Sequence, residues 1–329
     1  MSTACQPSHF HFDRLVAPGP RLPWIKRWLL DEVWSRENYN KLKPVDFLHC
    51  GESAVNDFEQ LLAAAADRTY GEMLSGPDPG KGLLDALSCP DSAVVVFDGL
   101  SLREIPMLLS LAEKSGLKIC TTDAFLAAIP CETMDFIDRE LPCGRIAPSQ
   151  LPGRKELKER CIATVYNGNH TQGITANHEG TALLVWSAFP DLTYRDSGAR
   201  FDSHFENIHA MFETAWMNTV QRITGKARIV ITSDHGYIFF GAGMDFPRQP
   251  SELRDLNAYF GNDRYASLTD KPEPPASDDL YHDASRQVAM IKGRVKTRST
   301  GEAAARLYKH GGLSLMEMIT PWIELESVS

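Results

Sequence analysis

The spacing of apolar positions changes near residue 90. Before it, apolar residues recur at helical intervals. Residues 23–34 place Pro23 at a helix start, with Trp24, Trp28 and Trp34 among the apolar positions that follow. Phe58, Leu61, Leu62 and Ala65 share one face of a second helix. Residues 1–90 therefore read as a helical N-terminal region, with the three tryptophans as packing residues. Gly76, Pro77, Asp78, Pro79 and Gly80 form a turn cluster before residues 91–329.

Beyond residue 90 the pattern alternates between strand and helix. The run Val94, Val95, Val96, Phe97 reads as a buried strand. A helix is expected over 102–115, closed by Gly116, with a strand over 117–120. That order implies a parallel sheet. Pro130, Pro142, Pro148 and Pro152 break 121–160 into loops and short helices. An apolar strand over 182–189 stops at Pro190 and Asp191. Phe205, Ile208, Phe212, Ala215 and Thr219 mark one face of a helix running to about residue 223. Gly225 ends it, and Ile229, Val230 and Ile231 form another buried strand that stops at Asp234 and His235. Residues 271–275 read as an extended loop or lid. Lys292, Arg294, Lys296 and Arg298 alternate with smaller residues, as in a strand with one basic face, either solvated or touching phosphate. Gly311 and Gly312 set His310 at a tight turn before a short helix.

The length of 329 residues suits one large domain with an appendage, or two domains. A net charge of -9 argues against a protein that coats DNA. It leaves open nucleic acid in a cleft where metal ions supply positive charge. Seven cysteines, odd in number and without a C-x-x-C pair, read as reduced thiols of a cytoplasmic protein. The polar start reads as no signal peptide, and the lack of a long apolar run as no membrane span.

Three acids, Asp98, Asp191 and Asp234, stand at or just beyond strand ends. In open α/β sheets this is where ligands bind. With His235, His310 and His204 they form a donor set for divalent metals. Such a set suits two cations roughly 4 Å apart, the separation used for in-line phosphoryl transfer.

Val96-Phe-Asp-Gly99, Ile129-Pro-Cys-Glu-Thr-Met134, Ile231-Thr-Ser-Asp-His-Gly-Tyr237 and Lys309-His-Gly-Gly-Leu-Ser314 carry a resemblance. In type and order these segments resemble PglZ-domain proteins of the alkaline phosphatase superfamily, over roughly residues 90–325. The resemblance implies an α/β alkaline-phosphatase-like sandwich with a central, mainly parallel sheet flanked by helices. It implies that Asp98, Asp234 and His235 bind one metal. Thr133 would be the nucleophile or a metal-bridging hydroxyl, compatible with a helix N-cap. Asp191 and His310 would bind a second metal. The family pattern has a further ligand soon after Asp191. Here Arg195 stands four residues on, which leaves Asp196 or His204, while Asp202 competes for the place given to Asp191. Two divalent ions are expected, Zn2+ or alternatively Mn2+. The implied activity is a metal-dependent phosphoesterase, preferring diesters, with a nucleotide or oligonucleotide substrate. Family members occur in phage-defence systems of the BREX kind, so other phage-defence proteins are expected partners. The alternative is a non-catalytic scaffold of the same fold in a defence complex.

Overall fold

A computed structural model describes residues 17–65, 67–75, 82–175, 180–196, 201–240, 245–269, 272–297 and 308–327. The strands in chain order are β1 (Ser92–Phe97), β2 (Leu117–Leu126), β3 (Ile162–Asn167), β4 (Ala182–Ser187) and β5 (Arg228–Thr232). They are followed by β6 (Ile238–Phe239), β7 (Tyr265–Ser267), β8 (Leu280–Asp283), β9 (Val288–Ile291), β10 (Tyr308–Lys309) and β11 (Ile319–Ser327). Six of them form a central sheet in the order β2-β11-β5-β1-β4-β3. Strands β1, β3, β4 and β5 run parallel. Strand β11 runs antiparallel to both β2 and β5. The chain is thus an α/β protein with a mainly parallel central sheet.

The alternation of side chains along β1 shows why the sheet lies inside. Ala93, Val95 and Phe97 belong to one apolar cluster with Ile25, Trp28, Phe58, Leu108 and Phe212. Val94 and Val96 belong to a second, with Phe136, Ile137, Trp186 and Trp322. A strand buried on both faces needs apolar residues at every position, which the Val94–Phe97 run supplies. Each large side chain buried this way contributes about 1.5–3 kcal/mol. The N-terminal helices Leu22–Trp28 and Pro44–Ala65 pack into the first cluster. Trp28 and Trp34 are buried, and Trp24 stacks on Trp28 with ring centres 6.3 Å apart.

Several elements differ from the sequence reading. Strand β2 continues past residue 120 to Leu126 because β11 pairs along its whole length. Its first seven residues are half-buried or exposed, so Thr121, Thr122 and Asp123 gave no apolar signal. Strand β11 follows the short helix Leu315–Met318 and lies inside the sheet despite Pro321. Pairing with β5 starts at Trp322, so Pro321 lies past the end of that ladder. The expected basic strand over 288–298 is shorter: β9 stops at Ile291, in the middle of the three-stranded sheet β7-β9-β8. Arg294 is fully buried and bonded to Glu52 and Glu59, while Lys296 pairs with Asp245 at 2.9 Å. Neither residue is part of a solvated or phosphate-binding face. Arg298 and the turn cluster over 76–80 lie outside the described residues. Cys50 is disulfide-bonded, so the cysteines are not all reduced thiols and do not argue for a reducing compartment. Among the described residues no helix is long and apolar enough to cross a membrane.

One helix–helix contact is tight enough to test by itself. A β-carbon on Gly51 would lie 2.2 Å from the Trp34 ring. Alanine is favoured over glycine in a helix by about 1 kcal/mol. Over-packing a rigid ring costs about 1–3 kcal/mol, and Trp34 also meets Phe47, one turn before Gly51 on the same helix, 5.5 Å away between ring centres. Gly51→Ala should therefore lower the melting temperature by a few degrees, measured by calorimetry. A rise would show that Trp34 does not pack on this helix.

Candidate metal centre

Parallel strands deliver the acids to one edge of the sheet. Asp98 follows β1, Asp191 lies just past β4, and Asp234 and His235 follow β5. Backbone bonds lock these strand ends together. The Asp98 amide donates to the Ser187 carbonyl, and the Asp98 carbonyl accepts from the Asp191 amide, both at 2.9 Å. The Ser233 hydroxyl donates to the Phe97 carbonyl, also at 2.9 Å.

The carboxylates are held as firmly as the backbone. Asp234 is fully buried and accepts from the Gly99 amide at 3.0 Å through Oδ1. Its Oδ2 accepts from the Thr133 hydroxyl at 2.6 Å. Asp98 accepts from the Trp186 indole at 3.3 Å. Gly99 has φ +74°, and a β-carbon there would meet Asp191 Cβ at 3.3 Å and His235 Cε1 at 3.5 Å. Glycine thus provides both the left-handed turn and the space.

The two imidazoles lie face to face, ring centres 3.9 Å apart and planes 10° from parallel. His235 Nδ1 lies 3.0 Å from the Gly236 carbonyl. Donation there leaves Nε2 as the lone-pair nitrogen, 3.5 Å from Asp234 and 3.6 Å from Asp98. Such backbone orientation of the other ring nitrogen is typical of metal-binding histidines. His310 repeats the design. Its Nδ1 lies 3.1 Å from both the Cys131 carbonyl and Glu132 Oε1, and its Nε2 lies 3.9 Å from Asp191.

Six of the sequence-predicted residues therefore meet in space. Asp98, Asp234 and His235 have ligand atoms within 4.8 Å of one another, as do Asp191, His235 and His310. Thr133 joins the first group through Asp234. His235 is common to both groups, whereas the sequence reading gave it to one. Thr133 is the first residue of the helix Thr133–Glu140, and its N-cap is Glu132, not Thr133. His204 lies in the helix Phe201–Asn218 and Asp196 in the helix Asp191–Asp196. Their side chains, with those of Arg195 and Asp202, lie outside the described ones. Glu132 was missed as a site residue. It sits in the Ile129–Met134 motif, but its partner His310 is far along the chain and no local pattern links them.

Electrostatics show what the cluster lacks. Burial pushes the Asp98 carboxyl well above its ordinary range, and the neighbouring Asp234 and Asp191 push it the same way. Burial would lower His310, but Glu132, Asp191 and the Cys131 carbonyl outweigh it and raise the imidazole to about 10. Three buried acids with two adjacent imidazoles form a donor set that a divalent cation would both neutralise and fit. A cavity of about 300 Å3 opens beside it, lined by Glu132, Asp191, His235, Tyr265, Lys309 and His310.

The crowding gives a test with opposite signs. Asp98→Asn should raise the melting temperature in chelator, because it removes a carboxyl whose ionisation burial and two neighbouring acids oppose in the folded chain. Mn2+ at a hundredfold over its Kd should stabilise the unsubstituted chain by about 2.7 kcal/mol, and the variant by far less. Thermal shift with and without Mn2+ measures both. Equal metal-induced shifts would remove Asp98 from the metal-binding set.

No family model matches the chain, and no curated protein matches it. Solved structures do. Phosphonoacetate hydrolase from Sinorhizobium meliloti 1021 is 11% identical with a TM-score of 0.41, over 73% of this chain and 90% of that one. Murine ectonucleotide pyrophosphatase/phosphodiesterase 5 is 13% identical with a TM-score of 0.42, over 71% of this chain and 87% of that one. The human counterpart is 12% identical with a TM-score of 0.40. The α/β architecture rests on the strand order above, and the centre on its own distances.

Proposed function

We propose that this chain is a metal-dependent phosphoester hydrolase. The observation that carries the reading is the convergence of Thr133 with two overlapping carboxylate–imidazole groups beside a cavity. Asp98, Asp234 and His235 would hold one ion. Asp191 and His310 would hold the second, with His204, or in its place Asp196, as the proposed further ligand and Asp202 a rival for the place of Asp191. A mixed carboxylate and imidazole set suits Zn2+ or Mn2+. When bound, the ions supply charge neutralisation and polarise the phosphoryl oxygens.

The chain's own groups do the rest. The Thr133 hydroxyl points its proton at Asp234 Oδ2, which fixes the direction of the oxygen lone pairs. Thr133 Oγ1 would attack phosphorus, forming an oxygen–phosphorus bond as the ester oxygen leaves. Water would then break that bond, releasing the phosphate monoester and restoring the threonine hydroxyl. Thr133 opens a helix, whose N-terminal end favours negative charge. Glu132 holds His310 through Nδ1 and keeps its Nε2 directed at Asp191.

A diester is the preferred substrate, because it carries one negative charge where a monoester carries about two. The cavity wall sets Glu132 and Asp263 against Lys309 and His310, so it offers no surplus of positive charge for the second one. The narrower reading, a PglZ-type protein that cleaves a nucleotide or oligonucleotide and works with phage-defence proteins, rests on the four motif segments alone. One observation favours the rival reading of a non-catalytic scaffold. Among the described side chains the second group has only Asp191 and His310 of its own and shares His235.

Thr133→Ala should keep fold and metal content while hydrolysis of bis(p-nitrophenyl) phosphate falls on the order of a thousandfold or more. Survival of more than about a tenth of the rate would replace the covalent route with direct attack by water. His310→Ala should weaken one ion and slow turnover, with the other still bound to Asp98 and Asp234. Elemental analysis and the same assay decide it. Fully metallated protein that cleaves no diester would leave the scaffold reading.

A further inference from the structure

Besides the metal-ligand cluster, the described residues gather buried charge at a second place. Glu52 and Glu59 lie two turns apart on one face of the helix Pro44–Ala65, and neither is exposed. Arg294 joins them, donating to Glu52 at 2.6 Å and to Glu59 at 2.9 Å. Arg103, also fully buried, pairs with the other oxygen of Glu52. The motif resemblance begins near residue 90 and offers no account of this helix.

Each arm of the network ends beside a histidine of the metal centre. Arg103 donates to the Ser101 hydroxyl at 2.7 Å and to the Tyr237 carbonyl at 3.0 Å. Its guanidinium lies 4.4 Å from the centre of the Tyr237 ring, and the Tyr237 hydroxyl donates to Glu104 at 2.8 Å. Tyr237 is thereby held at its carbonyl, ring and hydroxyl, two residues after His235. The second arm runs through Glu59, whose Oε1 accepts from the Leu315 amide at 2.5 Å. Glu317, on the same short turn, accepts from the Gly312 amide at 2.9 Å and from Arg264 at 2.7 Å. Gly312 is two residues after His310. The Glu317 carbonyl also accepts from the Gly236 amide at 3.0 Å, which ties the two arms together.

We propose that the helix Pro44–Ala65 positions the metal-centre histidines, with Glu52 acting through Arg103 and Glu59 through the Leu315 amide, and Arg294 joining the two acids. What the positioning serves rests on the phosphoester reading above. The geometry explains why charge is used where apolar packing would fill the space. An arginine fork fixes a carbonyl in direction as well as distance, and loss of one partner leaves its mate buried and unpaired. Burial alone would raise Glu52, but Arg103 and Arg294 hold it ionised, at about 2.

The test uses the full chain. Glu52→Gln keeps the side-chain size and removes the charge. Leu62→Ala, on the same helix and in the apolar cluster, is the stability control. Both are compared by the ring-nitrogen NMR signals of His235 and His310, assigned with His235→Gln and His310→Gln, at a temperature where each variant is folded. Glu52→Gln should displace both histidine signals while Leu62→Ala leaves them in place. Its kcat on bis(p-nitrophenyl) phosphate with Mn2+ should fall about tenfold or more, as for changes behind metal ligands. Unmoved histidine signals in Glu52→Gln, or equal displacement in Leu62→Ala, would overturn the proposal. Should Glu52→Gln not fold, Arg103→Lys carries the same comparison at His235, and an unmoved signal there overturns it. If the unsubstituted chain cleaves no diester, the phosphoester reading fails, while the ring signals still decide the positioning.

Discussion

Crowding of three buried carboxylates at one sheet edge is the constraint on which the rest of the structure depends. Asp98, Asp191 and Asp234 are each less than a tenth exposed. Removing an ion from water costs several kcal/mol unless partners replace the lost hydration. Asp234 has such partners in the Gly99 amide, the Thr133 hydroxyl and, at longer range, the Ser233 hydroxyl. Asp98 has the Trp186 indole, but it faces two other acids and its carboxyl is pushed well up. As a packing solution this is poor. As a cradle for divalent cations it is coherent, because bound ions would add attractions that outweigh the repulsion between the acids.

A crowded cluster of this kind must be stiff, and the fold makes it so in layers. The parallel strands β1, β4 and β5 are buried except at Arg228, the far end of β5 from the site, so their site ends cannot shift separately. Gly236 lets the His235 turn pass close to the Met316 carbonyl, which a β-carbon would meet at 2.1 Å. Backbone carbonyls aim both imidazoles. Behind them, Arg103 fixes the segment after His235, while Arg264, through Glu317, and Glu59 fix the segment after His310. The N-terminal helices are part of this support, since their apolar faces share a cluster with β1 and their acids anchor two of the arginines.

What the sequence made legible follows from burial. The runs at Val94–Phe97 and Ile229–Ile231 are apolar at every position because both faces of the sheet are covered, and such runs stand out. Their ends pointed to Asp98, Asp234 and His235. Thr133 entered only through the resemblance, since a threonine in a proline loop is ordinary by itself; His310 was marked by the two glycines after it, but its pairing with Asp191 came only with the resemblance. Strand β11 was not legible, because Pro321 and alternating acids imitate a loop. The fate of Arg294 was not legible either. Its spacing matched a basic strand face, while its partners Glu52 and Glu59 lie some 240 residues earlier and nothing local signals a buried pair. Glu132 belongs to the same class of contact made only by the folded chain.

The central claim is that the two overlapping groups hold two divalent ions at one sheet edge. Anomalous X-ray diffraction from crystals grown with Mn2+ tests it most directly. The account predicts two anomalous peaks roughly 4 Å apart, one among Asp98, Asp234 and His235 and the other at Asp191 and His310. Fully occupied peaks elsewhere, or none at these residues with Mn2+ in large excess, would contradict it.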